Sequence, residues 1–311
     1  MERKPRIVIV GSFNVDITCY APRLPRHGET VFGSSVNMTA GGKGFNQVAA
    51  SAHAGADVTM VAKIGDDALS SIALKYFEKE SISMQHIKKV SNTNTGSAFI
   101  EVDEESGENR IVAISGANGH VGKEDVYEAE ESIKNADLVL TQLETGLDSV
   151  RALIDLANKY NKPVILNPAP FKPLPDDLFK HISLFTPNET EAEFYSGIAV
   201  STEADVEKAA KVILDKGVSA VIITLGKKGA FYMTEREKGI VPAPSVKAVD
   251  TTGAGDAFNG ALATRLSLKD TLPEAIRFAN AFAALSVTKK GTCDSMPTLE
   301  ETLSFMKEQT P

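Results

Sequence analysis

The segment VDTTGAGDAFNG, residues 249–260, places an acidic residue directly behind a glycine-rich turn and at the start of a predicted helix. Gly253 and Gly255 let the backbone approach a ligand closely, and the helix directs its positive end at the same point. Asp256 stands at this predicted anion hole, where a carboxylate can accept the proton of an attacking hydroxyl during phosphoryl transfer. A plain glycine-rich helix start is the alternative.

A second glycine-rich helix start, AGGKGFNQ, occupies residues 40–47. Its glycines leave helix amides open, and Lys43, Asn46 and Gln47 offer donors for hydroxyl oxygens. The segment has neither the GxxxxGK[ST] spacing of a P-loop nor the GxGxxG of a Rossmann fingerprint. A ligand site and an ordinary helix start both fit this pattern.

Polar residues also follow the predicted strand RIVIV, residues 6–10. Asn14 and Asp16 stand two residues apart, so an extended segment projects both to one side. Ligands of open α/β sheets bind at the carboxyl ends of the strands, and such a pair suits vicinal hydroxyls. A capped turn is the alternative.

Three further polar segments follow predicted strands later in the chain. Asn188, Glu189 and Glu191 in TPNETE open a helix, and their oxygens suit a hydrated Mg²⁺ carried by a nucleotide. Acids in a first helical turn are also common for dipole reasons alone. NPAP at 167–170 ends another strand, and TLGKKGA at 224–230 can cradle an adenine nucleotide. Their shared place at strand ends is a stronger indication than any one segment.

The elements that must position these residues alternate between strands and helices. Continuous apolar runs predict buried strands at 6–10, 58–65, 136–144, 162–170, 182–189 and 219–226. Helical periodicity predicts helices at 44–55, 67–80, 147–160, 189–196 and 203–216, and another after the turn at Gly253. This rhythm predicts a doubly wound, mostly parallel α/β sheet flanked by helices.

Two stretches break the rhythm. Residues 14–40 contain short extended pieces without a helical period, and residues 95–118 alternate as a β-hairpin about a polar turn at 104–109. Together they predict a small β-sheet lid, built from about 14–40 and 96–115, that excludes water from a site at the strand ends. We expect one domain, residues 1–311, that includes this lid.

Composition excludes several classes of protein. The 311 residues carry a net charge of −8 without a basic run, which argues against nucleic acid as a partner. No apolar run approaches the ~20 residues of a membrane span, so we expect a cytoplasmic protein without membrane contact. Cys19 and Cys293 form no pattern, and the five histidines show no metal-ligand spacing, which argues against a disulfide framework and a zinc site.

In order and spacing, the motifs resemble the ribokinase branch of the PfkB family of carbohydrate kinases. The resemblance covers essentially the whole chain, and the pair GGKG and DTTGAGD carries most of its specificity. It implies a ribokinase-like α/β fold with a β lid. It also implies transfer of the γ-phosphoryl group of Mg-ATP to O5 of a pentose, so that a sugar and ATP are the expected partners.

The resemblance also implies roles for individual residues. Asp256 corresponds to the catalytic base, and the anion hole corresponds to Gly253, Ala254 and Gly255. Glu191 corresponds to the residue that organises Mg²⁺ through water. The implied sugar contacts are Asn14, Asp16, Gly42, Lys43, Asn46 and Glu144, with apolar cover from Ala98 and Ile111 of the lid. The implied nucleotide contacts are Asn188, Thr224, Gly226, Gly229 and Asn280.

A monovalent-cation site beside the anion hole is implied as well. Most of its ligands would be backbone carbonyls, which can replace the hydration shell of K⁺; for Lys289 the ligand would be its carbonyl and not its ammonium. We therefore expect activation by K⁺. The matching positions are Asp250, Thr252, Ser286, Lys289, Gly291 and Ser295.

Two positions bear on the choice of sugar. Phe45 stands where these kinases usually have Ala, and we expect it in the core, although an orientation toward the lid would reshape the sugar pocket. Asn14 stands where deoxyribokinases tend to have Met. An amide there can bond the 2-hydroxyl that deoxyribose lacks, which favours ribose, with deoxyribose, another pentose or a hexose as the alternative.

Hypotheses from other classes are a sugar sensor on the same scaffold and a nicotinamide-dependent Rossmann enzyme. The intact Asp256, Gly253 and Gly255 argue against the sensor, and the missing GxGxxG argues against the Rossmann enzyme. The exposed edges of the lid invite pairing with a second copy, so we expect a homodimer through the lid.

Overall fold

A long twisted sheet and a small separate sheet account for every strand in this computed structural model, which describes residues 3–309. Over this range the chain forms thirteen strands: β1 Arg6–Val10, β2 Asn14–Ala21, β3 Ser35–Gly41, β4 Asp57–Gly65, β5 Ile87–Val90, β6 Ser97–Asp103, β7 Asn109–Ile114, β8 Leu138–Thr141, β9 Val164–Leu166, β10 Leu184–Phe185, β11 Ala220–Thr224, β12 Ala230–Thr234 and β13 Lys238–Val241.

Helices connect these strands and cover the long sheet. Within residues 3–309 there are eleven α-helices: α1 Lys43–His53, α2 Ser70–Lys79, α3 Lys123–Glu128, α4 Glu130–Asn135, α5 Leu147–Lys159, α6 Asp176–Phe179, α7 Glu189–Ser196, α8 Glu203–Asp215, α9 Ala254–Ser267, α10 Leu272–Ser286 and α11 Leu299–Glu308. The longest has 15 residues, and no helix in the described part of the chain is long and apolar enough to cross a membrane.

The nine strands of the long sheet lie in the order β13-β12-β11-β10-β9-β8-β1-β4-β5. All neighbouring pairs from β11 to β5 are parallel, whereas β12 and β13 form an antiparallel edge. The predicted doubly wound, mostly parallel sheet is therefore confirmed. Its carboxyl ends meet at one edge, which is where such sheets bind ligands.

Strand β1 shows why the run RIVIV is apolar at successive positions. Ile7 and Ile9 belong to the core on one side of the sheet, which α1, α9 and α10 cover. Val8 and Val10 belong to the core on the other side, against α3, α4, α5 and α8. A parallel strand covered on both faces buries every side chain, so the pattern does not alternate.

Strands β2, β3, β6 and β7 form the small sheet, in the order β3-β2-β6-β7. These strands fall within the predicted lid segments, and the hairpin turns where the polar residues between Asp103 and Asn109 predicted. Asp16 lies opposite Ala98 across β2 and β6, and Ala98 lies opposite Ala113 across β6 and β7. These three side chains therefore share one face of the lid.

Several predicted strands extend too far. The strands predicted at 136–144, 162–170 and 182–189 end at Thr141, Leu166 and Phe185. Beyond these ends the amides of Asn167 and Thr186 still bond the carbonyls of Thr141 and Leu166, but the side chain of Asn167 bonds Gln47 of α1. The segments that follow these strand ends form the loops of the candidate site.

Candidate active site

The start of α9 carries the acidic residue that the sequence singled out. Gly253 caps the helix with φ 76°, a left-handed conformation that glycine adopts at little cost. Asp256 is the third residue of the helix and is only 5% exposed. In the described structure the amides of Gly253, Gly255 and Asp256 donate no hydrogen bond, whereas the amide of Ala254 bonds the Thr251 carbonyl at 3.2 Å. The first three are free to receive an anion.

Two side chains of α1 hold the Asp256 carboxylate. Asn46 Nδ2 donates to Oδ2 at 3.0 Å, and Gln47 Nε2 donates to Oδ1 at 2.9 Å. Burial raises the pKa of Asp256, while the Lys43 ammonium and these two amides lower it. The hydrogen bonds and the cation stabilise the ionised form that a base requires.

The start of α1 lies beside the start of α9. Gly42 caps α1 with φ 87°, and a Cβ there would press on the backbone of Phe13 and Asn14. Glu144 Oε2 accepts the amide of Lys43 at 2.9 Å and the hydroxyl of Ser12. A carboxylate from the loop after β8 thus binds the positive end of α1 and joins two of the predicted segments.

Lys43 reaches between the two helix starts. Burial alone would lower the pKa of its ammonium, but the carboxylates of Asp256, Glu144 and Glu191 outweigh burial, and the pKa lies above its usual value. Lys43, Asp256 and the glycine turn line one cavity of about 170 Å³. A permanent positive charge in this cavity suits a phosphoryl group.

Asn14 and Asp16 project from β2 on the face predicted from their spacing. Asn14 Oδ1 accepts a hydrogen bond from Asn118 Nδ2 at 2.8 Å. Burial, with the charges of Glu144 and Asp256, raises the pKa of Asp16 to about 6. The three acids are therefore close enough for their charges to interact.

A cavity of about 310 Å³ lies under the lid, lined by Asn14 and Glu144 on one side and by Ile114 and Phe171 on others. Of the two lid residues implied as apolar cover, Ala98 is buried and Ile111 is 57% exposed. Ile111 lies opposite Ile100, two positions beyond Ala98, so it shares the face of Asp16.

A larger cavity of about 410 Å³ opens on the other side of the anion hole. Four predicted nucleotide contacts line it, namely Thr224, Gly226, Gly229 and Asn280. Gly229 has φ 102°, and a Cβ would collide with the backbone of residues 241–243. Asn280 Nδ2 donates to the Val241 carbonyl at 2.8 Å and thereby holds the chain that forms the far wall.

Asn188 and Glu191 belong to the cavity at the anion hole instead. They form a reciprocal cap at the start of α7, in which Asn188 Oδ1 accepts the Glu191 amide and both Glu191 oxygens accept N–H groups of Asn188. Burial raises the pKa of Glu191. Its carboxylate is fixed in place and faces the cavity where nucleotide phosphates would enter.

The positions implied for K⁺ lie in two loops joined by one carboxylate. Asp250 Oδ1 accepts the Thr252 amide at 2.9 Å, and Oδ2 accepts the Gly291 amide at 3.0 Å. The Lys289 side chain pairs with Glu301, away from these loops. The Ser286 carbonyl accepts the Lys289 amide, and Ser295 caps a short turn through Thr292. No cluster of three His, Cys, Asp or Glu side chains in residues 3–309 could hold a metal.

Phe45 lies in the core, as expected. It is fully buried and packs edge-on against Phe13 at 5.1 Å and Phe77 at 5.2 Å between ring centroids. It therefore replaces a smaller side chain within the packing of α1 against α2 and does not enter the sugar pocket.

Sequence reasoning gave one supporting residue a different partner and missed two others. Gln47, expected to bond a ligand hydroxyl, is fully buried and bonds Asp256 and Asn167. Ser12 bonds Glu144, and Asn118 bonds Asn14. Each pair is separated by more than 100 residues, so no local pattern marks it. The apolar wall of the nucleotide cavity, which includes Pro244, Val246, Phe258 and Val287, was also missed.

The sequence model of the pfkB family carbohydrate kinases matches residues 4–299. The chain therefore belongs to the pfkB family of carbohydrate kinases, the class that its fold and its paired helix starts define.

Within this family, the chain is similar to individual sugar kinases. The chain is 43% identical over 301 residues to a ribokinase of Haemophilus influenzae, covering 97% of this chain and 98% of that protein. It is 38% identical to a deoxyribokinase of Salmonella typhi, covering 95% and 96%. The solved Arabidopsis thaliana ribokinase, complexed with ribose and ATP, superposes with a TM-score of 0.91 at 31% identity and covers 98% of this chain and 99% of that one. The ribokinase-like fold is thereby confirmed.

Proposed function

We propose that this protein is an ATP-dependent ribokinase that transfers the γ-phosphoryl group of ATP to O5 of D-ribose, giving D-ribose 5-phosphate and ADP. One observation carries the proposal: Asp256 lies buried at an open helix start and lines a cavity that shares Thr224, Ala254 and Gly255 with the larger cavity of the predicted nucleotide contacts. The named ribokinase relatives support the choice of reaction.

Asp256 acts as the base in this reaction. It accepts the O5 proton as the sugar oxygen attacks the γ-phosphorus, and the bonds from Asn46 and Gln47 keep its carboxylate aligned. The free amides at the start of α9 and the Lys43 ammonium receive the charge on the transferred phosphoryl group.

The sugar lies between Asp256 and the lid. Asp16 and Glu144 accept hydrogen bonds from sugar hydroxyls, while Asn14 Nδ2, which bonds no described residue, donates to a hydroxyl oxygen. A sugar hydroxyl would also bond Asn46 Oδ1, which is a buried acceptor without a hydrogen-bond partner in the described chain. Gly42 and Lys43 complete the proposed sugar contacts.

Mg²⁺ enters with ATP as part of the substrate and neutralises charge on the phosphates. Glu191 is the proposed residue that holds it through water, since its carboxylate is fixed by Asn188 at the edge of the phosphoryl cavity. The adenine and ribose of ATP occupy the cavity that Thr224, Gly226, Gly229 and Asn280 line.

K⁺ is the proposed activator, and the loops around Asp250 fit such an ion. In the described structure the carbonyls of Asp250, Thr252, Lys289 and Gly291 accept no hydrogen bond. Free carbonyls in two adjoining loops suit K⁺ better than a harder cation. Because Thr252 precedes the capping Gly253, an ion there would shape the anion hole without touching substrate. Ser286 and Ser295 complete the proposed set.

We further propose a homodimer that pairs through the lids, in the cytoplasm. Met38, Phe99 and Val112 lie on the lid face opposite to Asp16 and are 51%, 44% and 64% exposed. A second copy would cover this apolar row. Both cysteines are free thiols, as expected in a reducing compartment.

An ADP-release assay with Mg-ATP and K⁺ tests the function across D-ribose, 2-deoxy-D-ribose, D-arabinose, D-xylose and D-fructose. We expect the highest kcat/KM with ribose. The Salmonella typhi relative makes 2-deoxyribose the second candidate. A preference for another sugar would keep the chemistry and replace the substrate, whereas no turnover of any sugar would contradict the proposal.

A further inference from the structure

Asn118 has one satisfactory orientation in the structure. It lies in the short turn Gly116–His120 after the last lid strand, and it is only 2% exposed. Its Oδ1 accepts the Phe13 amide at 2.9 Å, and its Nδ2 donates to the Phe13 carbonyl at 3.0 Å. Because one backbone group is a donor and the other an acceptor, reversing the side-chain amide would break both bonds.

This orientation fixes the amide of Asn14 in turn. Asn118 Nδ2 also donates to Asn14 Oδ1 at 2.8 Å, so the carbonyl side of Asn14 faces Asn118. Gly96, at the foot of β6, packs against this pair, and a Cβ there would collide with Asn118 Nδ2 and Asn14 Oδ1. The remaining Nδ2 of Asn14 is left as a donor on the side of the sugar cavity.

We propose that Asn118 is a positioning residue that makes the enzyme prefer pentoses with a 2-hydroxyl, because it presents the N–H groups of Asn14 to that hydroxyl. The inference rests on the proposed ribokinase function. With O5 at Asp256, the opposite end of the sugar reaches Asn14 and Asp16. A hydroxyl that donates to the Asp16 carboxylate needs a donor for its own oxygen, which Asn14 Nδ2 supplies and Asn14 Oδ1 would not.

The variant Asn118→Asp tests this role. A carboxylate at this position can accept from Phe13 but cannot donate to Asn14, so the Asn14 amide is expected to turn its Nδ2 away from the sugar. We expect kcat/KM for ribose to fall about 10- to 100-fold, mainly through KM, as for a lost hydrogen bond to a hydroxyl. For 2-deoxyribose kcat/KM should change less than about threefold.

Two further variants distinguish a positioning role of Asn118 from a nonspecific loss of activity. Asn158→Asp makes the same chemical change on α5, where Nδ2 donates to the carbonyls of Ile154 and His181, outside the proposed sugar site. This variant should leave the ratio of kcat/KM for ribose to kcat/KM for 2-deoxyribose unchanged. In a variant that already carries Asn14→Ala, adding Asn118→Asp should not lower the ribose preference further, because Asn118 acts through Asn14.

The outcomes are distinct. Suppose that the wild type phosphorylates ribose. If Asn118→Asp then leaves the ratio of kcat/KM for ribose to kcat/KM for 2-deoxyribose unchanged, including by lowering both values equally, the positioning role is wrong while the function stands. If the wild type does not phosphorylate ribose, both proposals fail. Should Asn118→Asp not fold, Asn118→Ala gives the same comparison, with a reduced ratio expected and an unchanged ratio contradicting the role.

Discussion

At the scale of single residues, the site places three carboxylates, those of Asp16, Glu144 and Asp256, close enough for their charges to interact. Burial is the largest cause of the raised pKa of Asp16 and of Asp256, the charge of Glu144 raises both, and the charge of Asp256 also raises that of Asp16. The Lys43 ammonium offsets part of the cost of ionisation, because it interacts with the charges of Asp256, Glu144 and Glu191. Among the described residues, burial and the charges of Glu144 and Asp256 raise the pKa of Asp16 without an offsetting cation.

Asp16→Asn is expected to stabilise the fold at alkaline pH. The pKa of about 6 in the folded state lies above the model-peptide value of 3.8, so ionising Asp16 costs stability above about pH 6 and nothing below about pH 4. Removing the charge should raise the free energy of unfolding by about 3 kcal/mol at pH 8 and leave it unchanged near pH 4.

Urea unfolding at the two pH values measures this difference. Asp57→Asn, at the exposed start of β4, is the matched control and should show the same stability change at both. An equal gain from Asp16→Asn at pH 8 and pH 4 would contradict the charge argument. The gain should be accompanied by weaker ribose binding, because Asp16 is a proposed sugar contact.

At the scale of elements, helices α1 and α9 carry the proposed catalytic groups, so their first turns must keep a fixed relative position. Ser51 Oγ of α1 donates to the Gly260 carbonyl of α9 at 3.1 Å, and Thr264 Oγ1 returns a bond to the Ser51 carbonyl at 3.2 Å. A Cβ on Gly260 would collide with Ala50 and the Gln47 carbonyl. The close approach at Gly260 therefore lets Asn46 and Gln47 reach Asp256.

Gly260→Ala is expected to destabilise the protein, although glycine to alanine normally favours a helix interior by ~1 kcal/mol. The added methyl must push α9 from α1, at a cost of about 1–3 kcal/mol, and should lower kcat more than ribose affinity by moving Asp256. Thermal unfolding and steady-state kinetics measure both. Gly119→Ala, whose Cβ would meet open space, should leave both unchanged; a stabilised and fully active Gly260→Ala would contradict this view of the helix pair.

The sequence predicted these helix starts because their glycines, caps and apolar periodicity are local signals. It could not predict the partners of Asp256, since Asn46 and Gln47 are 210 and 209 residues away. Gln47 of α1 was predicted as a ligand donor, and only the packing of α1 against α9 directs its side chain to Asp256. The edge strands β12 and β13 were missed because they follow a turn interpreted as a nucleotide cradle.

At the scale of the whole molecule, we propose that the lid both covers the sugar and forms the dimer contact. One face carries Asp16 and Ala98, the proposed sugar side, and the opposite face carries the exposed side chains of Met38, Phe99 and Val112. Pairing of two copies on the apolar face would support each lid over its own site.

Light scattering at micromolar concentration is expected to give twice the chain mass of 33.2 kDa. Phe99→Glu, on the inner strand β6, places a charge within the apolar row and should shift the protein to monomers. Val212→Glu, at an exposed apolar position on α8, should leave the mass unchanged. A monodisperse monomer for the wild type would remove the lid dimer.

The proposed phosphoryl transfer depends on Asp256 as the base, and Asp256→Asn tests this role most directly. An amide keeps the shape but cannot take the O5 proton, so kcat with ribose should fall about 10²- to 10⁴-fold, while calorimetry should still detect ribose binding. Asp57→Asn serves again as the control and should leave kcat unchanged. Turnover by Asp256→Asn near that of the wild type would contradict the mechanism.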